Sequence, residues 1–362
     1  MKVRSVMLVF ALVIAASFGV AARQGGAVHE KLYIMHGNFD TDNMAIVDVA
    51  TNKVIKTMTV GKHPHGVASP KAQNVLYIAS ETEGTVTKFD TVHDTIIKTY
   101  GGFGVEPQES DITPDGRFLY QPSYAGYWQV FDTQKEEIIE YIHTLGIGHN
   151  TLISPDGKMA YLFPIAGGEG HWRRPSLGLP RTQPKEVTVV DTATHKVVGT
   201  INLGEGPRPP IFSPNGKYIY AQHDNWMGFS VIDVAARKVV SKAQYILSPE
   251  EQAVRSRSHG IVATPDGKEV WSNDVVHNLT FVFDVTQMPP KQIAKLPVGK
   301  QPYWNVVSKD GKTVYVACPS DDFVIAFDAA TKKEITRFQF PKGSHPTRMI
   351  VVAAPRVTST AR

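Results

Sequence analysis

The sequence predicts an all-β fold: a seven-bladed β-propeller of four-stranded blades, its ring closed by the C-terminal strand. An alternating apolar run ending in Asp occurs seven times: MAIVD (Asp48), TVTKFD (Asp90), WQVFD (Asp132), VTVVD (Asp191), FSVID (Asp233), TFVFD (Asp284) and VIAFD (Asp328). A second run precedes each of them, in the order LYIMH, LYIAS, LYQPS, AYLFP, IYAQH, VWSND and VYVAC. The unit recurs at roughly 40–45 residues, the period of propeller blades.

The chain begins with MKVRSVMLVFALVIAASFGVAA: two cations, Lys2 and Arg4, an apolar run from Val6, and small residues at the end. That pattern predicts a signal peptide over 1–22, followed by a short linker over 23–30. No later stretch approaches the roughly 20 apolar residues of a membrane helix, so the expected location is periplasmic or secreted, with no membrane span in the mature chain. Each period then supplies four strands, as in HGVAS (a), LYIAS (b), TVTKFD (c) and IIKTY (d). Five of the a–b connections carry PDG, PNG or KDG, where Gly gives the positive φ of a tight turn; PKAQN at 70–74 is a degenerate version. The Asp ending each c strand is expected to bond the backbone of its own turn. The chain enters on a b strand near Leu32 and ends on an a-type strand, HPTRMIVVA at 345–353. The last strand is therefore expected to complete the first blade, giving a propeller over 31–353 and a disordered tail over 354–362. Closure leaves only short sheet edges, and a monomer is expected.

Formal net charge is +4, two of those charges coming from Lys2 and Arg4. That is too little to argue for nucleic acid or anionic lipid. The one cysteine, Cys318, excludes an intramolecular disulfide, so stability must come from packing.

These units resemble the YVTN family of exported β-propeller repeats (YncE-like), which read roughly P-x-G-x-A-x-S-P-D-G, L-Y-V, V-x-V-I-D and a polar turn; PHGVAS at 64–69 and VTVVD at 187–191 carry the likeness here. The resemblance covers nearly the whole mature chain and implies architecture and export. It leaves function open, because this scaffold hosts lactonases, haem and copper oxidoreductases and binding proteins.

Aligning the a strands on the residue before the turn sets His65, Gln108, His149, Arg208, His259, Tyr303 and Thr347 at one position around the axis, with register slips of one residue conceivable at 108 and 347. The b-strand ends at the same mouth give His36, Ser80, Ser123, Pro164, His223, Asp274 and Cys318. Histidine thus occurs in five blades near one mouth. The metal-ligand candidates are His65, His149 and His259, with His36 and His223 as further ligands or partners. Imidazole suits zinc or copper, and three His leave a coordination position open. The ligand-binding candidates are Arg208, Tyr303, Trp304, Arg348, Glu109 and Asn150, since guanidinium binds carboxylate or phosphate in a bidentate manner. The bland alternative is imidazoles that bond only channel water and backbone. Two insertions, 165–186 and 245–258, fall at this face. The first carries Gly167, Gly168, Gly170, His171, Trp172, Arg173 and Arg174 and is expected to form a flap. Long loops on a rigid scaffold often carry function.

No phosphate loop, nucleophile elbow, metalloprotease helix motif or CxxCH haem attachment occurs. Three classes stay open: a binding protein for a small molecule, anion or protein partner; a metal-dependent oxidoreductase of copper or haem type; and a lactonase-like hydrolase.

Overall fold

A computed structural model describes residues 28–37, 41–166, 184–204, 206–223 and 226–355. The segment expected to be a signal peptide, the centre of the first insertion and the end of the tail lie outside the described residues. Within them the chain forms seven four-stranded antiparallel sheets, arranged as the blades of a propeller. Blade 1 is the composite one: its inner strand is Pro346–Pro355, followed outward by Val28–His36, Asn43–Asp48 and Lys53–Thr59. The other six take consecutive strands from inside to outside, starting from Pro64–Ala68, Asp111–Ile112, Ile147–Ile153, Pro207–Phe212, Ser258–Ala263 and Trp304–Val307. The closing pair runs from Val28 opposite Pro355 to His36 opposite Pro346. It is longer at both ends than 31–353: Val28–Glu30 pair in the sheet rather than forming part of a linker, because Pro355, Ala354 and Ala353 lie opposite them.

The burial pattern follows from stacking. Blades pack face to face, so b and c strands are covered on both faces, and runs such as Val75–Ser80 and Gly228–Asp233 are buried almost throughout. The d strands lie at the rim and stay exposed, as in Lys53–Thr59. Apolar clusters therefore straddle neighbouring blades. One joins Leu32, Ile34, Ala45 and Val47 of blade 1 to Tyr315, Ala317, Val324 and Ala326 of blade 7. Each c-strand Asp bonds its own turn as expected: Asp48 Oδ1 accepts from Thr51 N, and Asp90, Asp132, Asp191, Asp233, Asp284 and Asp328 do the same.

The inner strands carry a β-bulge at a common place. The register shifts between Pro64 and Val67, between Gly148 and Asn150, between Pro207 and Pro210, between Ser258 and Ile261, and between Pro346 and Arg348. In blade 3, Pro107 bridges Ser123 while Asp111 pairs with Tyr120, which again leaves one extra residue. A bulge sets two residues against one on the partner strand and re-aims their side chains. In blade 6 it needs glycine. Gly260 has φ +96, and a Cβ there would sit 2.6 Å from Asn273 Nδ2 and 2.8 Å from the Tyr303 carbonyl. We expect Gly260→Ala to cost about 2 kcal/mol or more, read as a lowered urea midpoint; an unchanged midpoint would mean that the bulge relaxes freely.

Candidate functional site

The bulges decide what reaches the axis. The first bulged residue of successive blades is His65, Gln108, His149, Arg208 and His259, and in blade 1 Thr347; neither the 108 nor the 347 unit slips. The second bulged residue adds Glu109, Asn150 and Arg348, which is why consecutive residues of one strand serve the same site.

The side chains form a connected network. The rings of His65 and His149 lie 6.4 Å apart. His149 places Nδ1 2.7 Å from Asn150 Oδ1 and Nε2 3.0 Å from Arg208 Nη1. Because Arg208 can only donate, His149 is there the neutral tautomer with its proton on Nδ1. His259 stacks on Tyr303 at 3.8 Å, and its Nδ1 lies 2.9 Å from the Tyr303 carbonyl oxygen, which accepts from it. That bond leaves Nε2 as the acceptor nitrogen, and Nε2 is buried with no hydrogen-bond partner among the described residues. Arg348 is fully buried; it stacks over Trp304 at 4.3 Å and Tyr303 at 5.1 Å, its Nε donates to Glu109 Oε1, and its Nη1 donates to the Thr347 carbonyl at 3.1 Å. Its Nη2 is buried without a partner among the described residues.

Burial sets the protonation states. It holds His65 well below the ordinary imidazole range, with Arg348, His63, His149 and His259 adding to the effect. It does the same to His259, with Arg208 and Arg257 adding. Arg348 is pulled down to about 9 by burial against the opposing pull of Glu81, so it remains a cation at neutral pH. The mouth thus sets the cation of Arg348 beside neutral His65 and His259.

Three participants were not among the candidates. Glu81 Oε1 lies 3.3 Å from His65 Nδ1 and accepts from Gln108 Nε2 at 2.6 Å, while its Oε2 lies 2.9 Å from His63 Nδ1. Tyr124 packs parallel to His149, ring centroids 6.2 Å apart. Glu81 and Tyr124 each come one residue after the b-strand ends Ser80 and Ser123, so extending the alignment by one position would have found both. His63 precedes Pro64 at φ +53, as Glu106, Gln301 and His345 precede Pro at the equivalent places with φ +44, +59 and +52, so aligning on that Pro would have found it.

Other candidates lie apart from this network. The His36 ring packs edge-on against Phe340 at 4.7 Å, between blades 1 and 7. His223 Nε2 bonds Ser230 Oγ at 2.8 Å and its ring meets Trp226. His36 thus turns toward the neighbouring blade, while His223 stays engaged within its own. Asp274 bonds Ser256 and the Nδ1 of His277 within its own blade. Cys318 is fully buried, and burial pushes its thiol up to about 12, so it offers no thiolate. Burial pulls His36 down to about 4 against the weaker opposing effect of Asp322. An imidazole kept neutral in the fold contributes stability that is complete above about pH 6.5 and is lost as pH falls toward 4. We expect that loss to be about 3 kcal/mol, and His36→Leu to flatten the acid limb of a urea-stability profile by about as much. A profile identical to that of the parent would refute it.

The fit of a metal turns on the donor set. As arranged, both nitrogens of His149 face other groups, and the permanent charge of Arg208 beside it opposes a second cation. Among the described residues no group of three or more His, Cys, Asp or Glu is placed to hold a metal ion. Arg348, whose Nη2 has no partner among the described residues, suits an anion instead.

Residues 187–350 match the family described as Lactonase, 7-bladed beta-propeller. No curated protein matches the chain. Among solved structures, the Pseudomonas aeruginosa periplasmic gluconolactonase aligns at 16% identity over 91% of this chain and 100% of its own, with TM-score 0.70. A putative 6-phosphogluconolactonase from Bacteroides uniformis aligns at 15% over 90% and 100%, TM-score 0.71. Kuenenia stuttgartiensis hydrazine synthase aligns at 19% over 91% and 99%, TM-score 0.66. Likeness at these identities extends to the fold, which is a seven-bladed β-propeller shared with lactonase-like proteins.

Proposed function

We propose that the axial site binds a small organic anion and hydrolyses a sugar-acid lactone to it, in a protein exported by its N-terminal segment. The observation that carries this reading is one side of the axis: the buried Nε2 acceptor of His259, stacked on Tyr303, beside two guanidinium groups, Arg208 and Arg348. The match to the lactonase family over 187–350 favours this hydrolase over the other enzyme classes. In the reaction, water adds to the acyl carbon, the ring C–O bond breaks, and the ring oxygen leaves as a hydroxyl while the new carboxylic acid ionises. His259, held through Nδ1, takes the proton from water at Nε2 and returns it to the departing ring oxygen, while the proton of the new acid passes to solvent. The guanidinium groups stabilise charge developing on the carbonyl oxygen and hold the product carboxylate.

The test is hydrolysis of glucono-δ-lactone and of 6-phosphogluconolactone, followed as acid release above the spontaneous rate. His259→Gln is expected to lower kcat by about 10²–10⁴. Lactones turned over no faster than in buffer would reject the hydrolase and leave anion binding to be measured by itself. Metal analysis of untagged protein separates the remaining reading: stoichiometric copper or zinc whose removal abolishes activity would displace this mechanism.

A further inference from the structure

His65 is wedged between two carboxylates, with Nδ1 3.3 Å from Glu81 Oε1 and 3.3 Å from Glu109 Oε1. Glu81 also holds His63 and Gln108, and Glu109 holds Arg348, with its Oε2 3.8 Å from His149 Nδ1. Each blade packed around His65 contributes to its surroundings: Arg348 from blade 1, His63 and Glu81 from blade 2, Glu109 from blade 3, His149 from blade 4 and, across the axis, His259 from blade 6. Two carboxylates, Glu81 and Glu109, thus stand against two guanidinium groups, Arg208 and Arg348, with His65 and His259 held well below the ordinary imidazole range.

A further anion brought into this buried cluster adds an uncompensated negative charge, which low-dielectric surroundings penalise heavily. The group best placed to compensate is His65. It already contacts two carboxylates, and after burial the largest influence keeping it neutral is Arg348. An anion paired to the unpartnered Nη2 of Arg348 cancels that influence.

We propose that the axial site takes up a proton together with its anion, and that the proton resides on His65, with Glu81 as its positioning residue. This rests on reading the mouth as an anion site and adds a regulation: affinity tied to pH. By linkage, anion binding raises the imidazole pKa and protonation raises anion affinity by the same factor.

The experiment is isothermal titration calorimetry of the full chain with sulfate and with D-gluconate, both fully ionised across pH 6–8. Titrations run in PIPES and in Tris, whose ionisation enthalpies differ. The expected result is an observed heat that depends on buffer, corresponding to nearly one proton taken up per anion. Affinity is expected to weaken by about tenfold per pH unit between the free and bound pKa values of the imidazole. His65→Gln is expected to bind with buffer-independent heats and a flat pH profile. Glu81→Gln is expected to reduce proton uptake while binding remains. Absence of binding by both anions would overturn the anion-site reading itself. Binding with heats independent of buffer in the parent protein would leave that reading standing and overturn proton coupling. Uptake persisting in His65→Gln would overturn the assignment to His65.

Discussion

A chain lacking residues 344–362 is expected to lose its cooperative melt. Those residues supply the inner strand of blade 1, paired with Val28–His36 along its whole length. Without it the sheet keeps three strands, and Tyr33, Met35 and their neighbours lose the cover of Met349, Val351, Val352 and Ala354, all buried. At about 1.5–3 kcal/mol for a large buried apolar side chain, the loss is about 6–10 kcal/mol, comparable to the whole stability of an ordinary domain. The effect also spreads, because the same strand packs against both neighbouring blades and closes the ring. Thermal and urea melts of the truncated chain test this; a normal sigmoidal transition near the parent midpoint would show that the ring holds without its closing strand. The same strand brings Arg348, so truncation also dismantles the site.

The second large effect is confined to that side chain. Arg348→Ala leaves Glu109 buried without its cation, and breaking a buried ion pair from one side costs about 3–5 kcal/mol. It also removes the guanidinium stacked on Trp304 and Tyr303. Affinity for gluconate is expected to fall by at least about 30-fold, since truncating a buried charge partner costs about 2–5 kcal/mol or more. The two losses separate in a double variant. Arg348→Met with Glu109→Gln removes both charges at similar volume and is expected to recover most of the stability, with binding still lost. Urea midpoints and calorimetry on the three proteins read this directly. A double variant that binds gluconate like the parent would remove Arg348 from the site.

Several parts of this molecule are legible in local pattern. The Asp at the end of each c strand bonds its own turn, within a few residues, so its role is written in the unit itself. The closing strand is legible for a similar reason: an odd a-type strand at the C-terminus and a missing one at the N-terminus leave one way to complete seven sheets. The equivalence of His149, Arg208 and His259 is legible because each stands six residues before the Pro of its a–b turn, at 155, 214 and 265, while His65 stands five before Pro70.

Other roles depend on what crosses between blades. His36 and His223 occupy b-strand ends equivalent to Ser80 and Ser123, yet their rings turn toward Phe340 and toward Ser230 and Trp226. For His36 the deciding neighbour is distant in sequence, across the gap to blade 7; for His223 it is the adjacent strand and loop of its own blade. Glu81 and His63 stand at repeat positions, but their partnership across a proline turn exists only once the d–a and b–c loops meet. The insertion at 165–186 remains an expectation of the sequence, because its centre, 167–183, lies outside the described residues.

The sequence by itself determined the ring, its seven blades, its closure, and the shared position of the six first bulged residues, because strand alternation and turn chemistry are short-range and repeat. Tertiary structure decided the chemistry of that mouth. The stacking of His259 on Tyr303, the burial of Arg348 against Glu109 and the wedge of His65 between two carboxylates each join different blades. Electrostatics at such a site depends on distances of a few ångströms between residues up to 239 positions apart in the chain, and no local pattern encodes them.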